Sequence, residues 1–482
     1  MSGMIFRKRI VFVLMAFSLI VGAGISYFLL NGINGTPHPG SVFAKGDKST
    51  EEDLAKIKQA LELISGSYVE EVKRDKLVEG AISGMVNTLQ DPYSVYMDKE
   101  TAGQFEQSLD SSFEGIGAEV SMTDGKVTIV APFKDSPAEK AGLKPNDFIL
   151  SVDGKSLAGL DLYEAVLKIR GEKGSKAILE VERPGVTGTL KIEVTRDEIP
   201  IETVYSSVKD YKGNKVGYIE ITSFSEDTAK DFATQLKDLE SQKIAGLVID
   251  VRGNPGGYLQ SVEDILKLFV TDKKPYVQIE NRNGEKERFF SSLKEKKNYP
   301  ITVLIDKGSA SASEILAGGL KEAGGYDIIG ETSFGKGTVQ QAVPLGDGSN
   351  IKLTLFKWLT PDGNWIHKKG VEPTVEMKQP DYFYSSPIQI EEQPLAFDQN
   401  NEQVKSAQLM LKGLGFEPGR HDGYFSKQTE VAVQAFQKAN GISASGQIDK
   451  DTAQKLQEKI IEEVRDEKND IQLQTAIKML YK

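Results

Sequence analysis

The sequence predicts a multidomain α/β protein with helical segments at both ends, and three observations carry this prediction. The chain has 482 residues, which suggests about three domains of the usual size. Between 199 and 380, short apolar runs typical of buried strands alternate with amphipathic helical stretches, which is the pattern of a layered α/β core. The predicted strands are 216–221, 247–251, 301–305 and 351–358, and the predicted helices are 228–239, 259–269 and 311–323. The chain contains no cysteine, so packed cores rather than disulfide bonds must stabilise the fold.

Composition and charge exclude several classes of function. The formal net charge of −11 argues against a nucleic-acid partner, because nucleic-acid binding needs a basic field. Without cysteine a thiol nucleophile is impossible, and His38, His367 and His421 leave few candidates for a histidine-based triad. His, Asp and Glu do not recur at the spacing of metal ligands, so we expect neither a metal nor another cofactor.

Residues 1–48 are predicted to direct export and then to form a linker. A basic triplet at 7–9 precedes a run of low polarity over 10–30, which joins the basic and apolar regions of a secretory signal. The run is also long enough, at about 20 residues, to span a bilayer. Residues 42–44 offer a small-residue cleavage pattern, but they lie well beyond the apolar run. A cleaved signal and a retained membrane anchor therefore both fit, and each predicts an extracytoplasmic protein.

Residues 49–112 are predicted to form a helical amino-terminal region. Apolar residues recur there at helical spacing, and Asp91 and Pro92 end the pattern. We expect the apolar face to pack against the next domain. If the face is exposed, it would instead pair two subunits in a homodimer.

From 113 to 198 the pattern changes to short strands and turns. The runs at 113–120, 136–143 and 147–154 resemble a PDZ domain of the bacterial protease type. Such a domain binds an extended peptide at a sheet edge, while backbone N–H groups near a glycine loop hold the terminal carboxylate. The resemblance therefore implies protein substrates with free carboxy-termini.

The same resemblance implies peptide-binding residues. Gly115, Ile116 and Gly117 form the candidate carboxylate loop, with Ile116 among the apolar residues that line a pocket. Arg170, at the end of a predicted helix, would sense the bound tail or the protease body. A lone arginine at a helix end also fits a partner of the helix dipole, and this alternative stays open.

The segment 199–380 combines candidate nucleophiles with a candidate base. Ser309, Ser311 and Ser313 lie upstream of Lys336, which two glycines flank. In a Ser–Lys pair the amine takes the hydroxyl proton and later returns it to the leaving group. The lysine must be neutral, so burial or a neighbouring cation must lower its pKa from about 10.4. Spacing alone also fits a capped helix start and a solvated loop lysine.

The runs at 309–315 and 334–341 resemble the signature of the carboxy-terminal processing proteases, also called tail-specific proteases. The resemblance implies that Ser311 is the nucleophile, Lys336 the base and Gln340 the residue that orients the lysine. It further implies a protease core similar to the crotonase and Clp protease folds, with the PDZ domain inserted ahead of it. The expected function is a PDZ-regulated serine endopeptidase that cleaves exported or membrane proteins near their carboxy-termini in the bacterial cell envelope.

An oxyanion hole is predicted beside this pair. Residues 246–251 have the pattern of a short buried strand that runs into a loop rich in Gly and Pro at 252–257. The plain interpretation is a strand-to-helix turn, but such a loop can also present N–H groups to an oxyanion. The family resemblance implies that Ala312 and either Gly256 or Gly257 supply these groups, and the sequence does not choose between the glycines.

The chain ends in a linker, 381–400, and a separate module, 401–482. The run at 422–429 recurs at 445–452, and each copy leads into a helix start. The repeat resembles the peptidoglycan-binding-like helical domain. The module would bind peptidoglycan or serve as a packing or dimerising element.

Two other functions stay open on the sequence. One is a catalytically idle envelope scaffold whose PDZ and carboxy-terminal modules bind peptide tails and cell wall. The complete set of Ser311, Lys336 and Gln340 favours an active protease over this scaffold. The other is a cell-wall hydrolase, which rests only on the last module and lacks the metal or carboxylate arrangement that such chemistry needs.

Overall fold

The computed structural model describes residues 48–107, 109–123, 125–160, 162–390 and 393–481. The predicted export segment, with its apolar run and its cleavage pattern, lies outside these residues. No helix in the described ranges is long and apolar enough to cross a membrane.

Two helices make up the described part of the amino-terminal unit, which ends at Gln90. Helix α1 spans Lys48–Ser67 and α2 spans Arg74–Asn87. Several apolar side chains of these helices are exposed to solvent: Leu54, Ile57, Leu63, Ile64, Val78 and Met85. The helical region expected from the periodicity is therefore present, and part of its apolar surface is uncovered.

The second unit begins with a short strand and a helix and then enters an inserted β-rich domain. Its first elements are β1 (Val95–Met97), α3 (Lys99–Gln107), β2 (Ser112–Gly115), β3 (Ala118–Thr123), β4 (Lys126–Pro132), α4 (Pro137–Lys140), β5 (Phe148–Val152), β6 (Lys155–Ser156), α5 (Leu162–Ile169), β7 (Lys176–Glu182), β8 (Thr189–Thr195) and β9 (Asp197–Pro200). Strands β3-β4-β5-β7-β8 form an antiparallel sheet in this order, with β6 paired to β5. Strands β2 and β9 pair antiparallel, with Phe113 opposite Ile199, so the chain enters and leaves the insert side by side.

An α/β core follows the insert. Its elements are β10 (Val204–Tyr211), β11 (Asn214–Ile221), α6 (Thr228–Ser241), β12 (Gly246–Asp250), α7 (Leu259–Leu266), β13 (Val277–Glu280), β14 (Lys286–Phe289), β15 (Ile301–Ile305), α8 (Ala312–Gly319), a π-helical turn (Leu320–Gly324), β16 (Asp327–Gly330), β17 (Thr338–Pro344), β18 (Asn350–Leu359) and β19 (Val375–Glu376). The main sheet has the order β10-β11-β12-β15-β16-β19. Strand β10 runs antiparallel to β11, and the remaining pairs are parallel. A second, antiparallel sheet has the order β1-β18-β13-β14, with β17 paired to β18.

The carboxy-terminal module has its own apolar core. Its helices are α9 (Glu402–Gly413), α10 (Lys427–Ala439) and α11 (Lys450–Arg465), and a short 3₁₀ helix (Asp381–Tyr384) precedes them. The side chains at the centre of this core are buried: Leu411, Phe425, Val433, Phe436 and Leu456.

Two buried glutamines explain the sequence repeat in this module. The Gln408 side chain accepts a hydrogen bond from the Gly423 N–H. Its amide donates to the Tyr424 carbonyl oxygen and to the Thr429 hydroxyl. In the second copy Gln437 makes the same three contacts, with Gly446, Gln447 and Thr452. Each copy is thus a glycine turn and a helix start that one amide side chain fastens to the preceding helix.

A last helix, α12 (Ile471–Met479), packs on the main sheet of the α/β core. Its Leu473 and Ile477 side chains cluster with Val248 of β12 on one face of the sheet. Leu247 packs on the opposite face, with helices α6 to α8. Side chains alternate along a strand, so β12 is covered on both faces, and all its residues are buried as expected for a central parallel strand.

Candidate active site

Ser311 lies at the sharp turn before α8. Its φ of 54° and ψ of −110° lie outside the usual regions for a residue that carries a side chain. Such a conformation costs about 1–3 kcal/mol and persists where the surrounding contacts enforce it. Two contacts do so here. The Ser311 N–H donates to the Glu314 carboxylate at 2.8 Å, and Gly256 packs so closely on Ser311 that a Cβ there would lie 3.0 Å from the serine Cβ.

The three serines of the motif differ in exposure. Ser309 and Ser313 are fully buried. Their hydroxyls donate to the carbonyl oxygens of Val251 and Asn254, at 2.8 Å in each case. Ser311 is partly exposed. The two outer serines therefore support neighbouring backbone, and Ser311 is the hydroxyl that a substrate can reach.

Lys336 lies in the loop before β17, in surroundings that favour the neutral amine. Burial lowers the pKa of Lys336, and the positive charge of Lys352 lowers it further. The negative charges of Glu314 and Asp91 oppose this shift, but the net direction is a lowered pKa. A general base needs such a shift, because only the unprotonated amine can take a proton. The Nζ atom lies 5.0 Å from the centroid of the Tyr93 ring.

Gln340 follows a register irregularity in β17. Its side-chain amide donates to the hydroxyls of Thr338 and Thr354, at 3.0 Å in each case. Among the residues that the structure describes, no hydrogen bond joins Lys336 Nζ to Ser311 or to Gln340. The structure therefore brings the backbones of Ser311 and Lys336 together without the side-chain hydrogen bonds of an assembled catalytic set.

Glu314 is the residue that the sequence analysis missed. Its side chain is fully buried and accepts four hydrogen bonds. One oxygen accepts from the Ser333 hydroxyl and the Gly335 N–H, both at 2.6 Å. The other accepts from the N–H groups of Ser311 and Lys336, both at 2.8 Å. The signal in the sequence is the spacing Ser-x-x-Glu at a helix start, which places the carboxylate beside the serine N–H.

The structure separates the two glycines of the predicted oxyanion hole. The Gly256 N–H donates to the Asn254 side chain at 2.8 Å and is therefore occupied. Within the described ranges, no hydrogen bond takes up the N–H of Gly257 or of Ala312. Gly257 has a φ of 146°, and any side chain there would collide with the Phe224 carbonyl oxygen. This geometry favours Gly257 over Gly256 as the partner of Ala312.

Three of the predicted peptide-binding residues lie at the start of the insert. Gly115 belongs to β2. Ile116 is 3% exposed and packs in the apolar core of the insert, so it does not line an open pocket as we expected. Gly117 has a φ of 75° and touches Ser136, where a side chain would be both strained and obstructed. The role of this loop in binding a carboxylate stays a prediction.

Arg170 follows α5 and contacts the segment that leads into the insert. Its guanidinium lies 4.7 Å from the centroid of the Phe113 ring and donates to the Gln107 side chain at 3.1 Å. Arg170 also lines a cavity of about 630 Å³. Acidic side chains line the same cavity: Asp110, Glu114, Glu172, Glu198, Glu226 and Asp227. Their charges disfavour the binding of a peptide carboxylate inside this cavity.

Comparisons with known proteins assign each of these segments. The model of peptidase family S41 matches residues 215–377, and that of the PDZ domain matches 115–194. The models of the activating protease CtpB N-terminal domain and of the peptidoglycan binding domain match 19–101 and 400–456. The carboxy-terminal processing protease CtpB of Bacillus subtilis (strain 168) is 61% identical over 98% of this chain and 99% of its own length. This chain belongs to the carboxy-terminal processing protease family.

Two further proteins are similar to this chain. The carboxy-terminal processing protease CtpA of Bacillus subtilis (strain 168) is 41% identical over 99% of each chain. Among solved structures, the photosystem II D1 C-terminal processing protease matches 66% of this chain and 86% of its own, with 29% identity and a TM-score of 0.40.

The comparisons confirm several predictions made from the sequence. The protein is a serine protease of the carboxy-terminal processing family, with a PDZ domain and a peptidoglycan-binding domain. The mixed α/β fold class with helical ends is confirmed as well. Family and domain content indicate the cell envelope. The individual catalytic and peptide-binding residues stay predictions.

Proposed function

We propose that this protease is a Ser–Lys endopeptidase in which Ser311 is the nucleophile and Lys336 the general base. The observation that supports this most is the Glu314 bridge, because one buried carboxylate binds backbone N–H groups of both residues. The lowered pKa of Lys336, caused first by burial, is the second support. The partly exposed serine and a lysine of lowered pKa are thus held together by one carboxylate.

The chemistry follows from these groups. The neutral Lys336 Nζ takes the proton from Ser311 Oγ while Oγ attacks the scissile carbonyl carbon. The N–H groups of Ala312 and Gly257 stabilise the negative charge that develops on the carbonyl oxygen. The lysine ammonium then gives its proton to the leaving amine as the peptide C–N bond breaks. Water hydrolyses the acyl ester in the same way, with Lys336 as the base, and Ser311 is released.

The first step needs a hydrogen bond from Ser311 Oγ to Lys336 Nζ, so the observed arrangement is a resting one. Nζ lies over the Tyr93 ring, 5.0 Å from its centroid, and would move toward Ser311 Oγ in the active arrangement. Gln340 lies in β17, and its side-chain oxygen would then accept a hydrogen bond from Nζ and orient it. Apo active sites often tighten in this manner when substrate binds.

The remaining modules define the proposed substrates and location. The PDZ domain would capture protein substrates by their free carboxy-termini, which agrees with the names of the relatives. The peptidoglycan-binding domain would hold the enzyme at the cell wall, and the export segment would deliver it as an anchored or a released protein. The exposed apolar residues of α1 and α2 would suit the pairing of two subunits.

Substitution of Ser311 tests the proposed function. The purified full-length enzyme is incubated with an unfolded protein that has a free carboxy-terminus, and the fragments are measured by mass spectrometry. We expect Ser311→Ala to lower the cleavage rate on the order of 10⁶-fold, because removal of a nucleophile disables the whole catalytic set. Ser309→Ala and Ser313→Ala should keep part of the activity, since these hydroxyls support backbone carbonyl groups.

Full cleavage by Ser311→Ala would refute the assignment of the nucleophile. A wild-type enzyme that binds carboxy-terminal peptides and cleaves none of them would favour the idle envelope scaffold. That alternative has one observation in its favour, because Lys336 Nζ contacts the Tyr93 ring in the structure.

A further inference from the structure

The last helix of the chain belongs to the protease core by its contacts. Asp470 caps the start of α12 and accepts a hydrogen bond from the Leu473 N–H at 2.9 Å. Beyond the other end of α12, the Tyr481 ring stacks on Tyr211 of β10, with 5.4 Å between the ring centroids. The helix follows the peptidoglycan-binding module in sequence, yet it returns to cover the main sheet.

Asp470 is also part of a buried ion network around Arg252. Arg252 donates to both oxygens of Asp470, at 2.8 and 3.0 Å. It donates to both oxygens of Asp250 as well, at 2.6 and 3.0 Å. Burial opposes the charged form of each partner, but the pairing outweighs it, so the pKa of Arg252 is raised and that of Asp470 is lowered. A planar guanidinium between two carboxylates is held in one orientation.

Arg252 is the first residue of the loop that ends at Gly256 and Gly257, the candidate oxyanion glycines. The next residue, Gly253, donates its N–H to the Asp306 carboxylate at 2.8 Å. Asn254 follows and is fully buried. Its side chain accepts a hydrogen bond from the Gly256 N–H, and its carbonyl oxygen accepts one from the Ala310 N–H, beside the nucleophile. Asn254, two residues after Arg252, is therefore hydrogen-bonded both to the glycine side of the predicted oxyanion hole and to the segment that carries Ser311.

We propose that Asp470 is a positioning residue for catalysis, which holds the oxyanion loop, 252–257, in its active geometry through Arg252. The proposal rests on the proposed Ser–Lys mechanism and extends it to a residue far along the chain. Helix α12, which Asp470 caps, then contributes to catalysis by the protease domain. Loss of the Asp470 carboxylate leaves the buried Arg252 with Asp250 and the Gln472 side chain as partners, so the guanidinium shifts toward Asp250 and moves the loop with it.

Two variants at one position test this role. Asp470→Asn keeps the volume of the side chain, and Asp470→Ala removes it. Steady-state cleavage of an internally quenched peptide gives kcat and KM, and a peptide boronate, which forms a tetrahedral adduct with a serine, reports on the oxyanion hole. We expect kcat to fall about tenfold to a hundredfold in both variants, because a small misplacement of oxyanion donors has this effect. The boronate should lose affinity by the same factor while KM stays the same, and Asp470→Glu should restore part of both.

Glu467→Ala is the matched control. Glu467 pairs with Lys209 at 2.6 Å and thus also fastens the end of the chain to the main sheet, but on β10 and away from the loop. This variant should keep the kcat and the boronate affinity of the wild type. If Asp470→Asn keeps both values, or if Glu467→Ala loses as much as Asp470→Asn, the positioning role is refuted. Failure of the Ser–Lys mechanism has a different signature, which is full activity of Ser311→Ala.

Discussion

The two halves of the candidate active site are organised to different degrees. In the nucleophile half, Ser311 has a strained backbone conformation. A hydrogen bond from its N–H to the Glu314 carboxylate and the close packing of Gly256 hold it there. In the base half, the backbone of Lys336 is fixed but its Nζ faces the Tyr93 ring, while Gln340 binds two threonines. The difference shows where such a protease can be switched, because moving one side chain breaks fewer contacts than rebuilding a strained turn.

The energies agree with this division. A buried backbone N–H that loses its hydrogen-bond partner costs about 1–3 kcal/mol. The nucleophile half is held by several hydrogen bonds of this kind. In the protonated form of Lys336, the contact of Nζ with the Tyr93 ring contributes only about 0.5–2 kcal/mol. A substrate that binds the active arrangement slightly better than the resting one can therefore move the lysine. The oxyanion hole can stay formed in both arrangements.

Replacement of Lys336, in the base half, should lower kcat the most. Arginine keeps the positive charge but cannot lose its proton at working pH. Lys336→Arg should therefore be as inactive as Lys336→Ala, with a loss on the order of 10⁶-fold in kcat. Steady-state kinetics with a quenched peptide measure this, and Lys307→Arg, at an exposed lysine, is the control. Near wild-type turnover by Lys336→Arg would end the proposal that this half supplies the base.

The next largest loss of kcat should come from a change at Glu314, whose carboxylate accepts hydrogen bonds from backbone N–H groups of both halves. In Glu314→Gln one side-chain oxygen is replaced by an NH₂ group, which cannot accept the hydrogen bonds that this oxygen received. Two N–H groups are then left unpaired, and we expect the free energy of unfolding to fall by about 3 kcal/mol. The resulting shift between nucleophile and lysine should lower kcat about a hundredfold.

Urea unfolding and peptide cleavage check this prediction, with Glu376→Gln, at an exposed glutamate, as the control. A stable Glu314→Gln enzyme with normal kcat would show that the two halves are held together by other contacts.

The fold was largely predictable because its strongest signals are local. The strand expected at 301–305 is observed as Ile301–Ile305, and the one expected at 216–221 begins two residues earlier, at Asn214. The helix expected over 311–323 ends sooner, at Gly319, where the chain continues as a π-helical turn. The packing of α12 on the sheet was not predicted, because an amphipathic helix at the end of a chain does not specify which surface it covers.

The site was predictable only in part, for the same reason. The motif picks out Ser311 and Lys336, and their local spacing supports a turn and a loop. The ring that faces Lys336 comes from Tyr93, far away in the chain, through the pairing of β1 with β18. The choice between Gly256 and Gly257 depends on a hydrogen bond that the Gly256 N–H donates to the Asn254 side chain. Periodicity and motif spacing carry no information on either contact.

The pH dependence of kcat/KM tests the role of Lys336 as the base. Two substitutions should shift the pKa of Lys336 in opposite directions. Lys352 lowers the pKa of Lys336 and Asp91 raises it. In Lys352→Met the pKa of Lys336 should rise, so the acid limb of the profile of kcat/KM against pH moves to higher pH. In Asp91→Asn the pKa should fall, and the limb moves to lower pH. If both variants move the acid limb in the same direction, or if neither moves it, this limb does not follow the ionisation of Lys336.

The smallest expected effect concerns the ring that holds the lysine in its resting place. Leucine removes the aromatic face at position 93 but stays apolar, so Tyr93→Leu should release Nζ toward Ser311 and raise the basal kcat. A contact of about 1 kcal/mol limits the gain to about fivefold. Tyr93→Phe keeps the ring face and should leave kcat unchanged, which separates the ring from the hydroxyl. Initial rates on a short peptide measure both variants, and a lower kcat in Tyr93→Leu would mean that the ring belongs to the active geometry and not to a resting one.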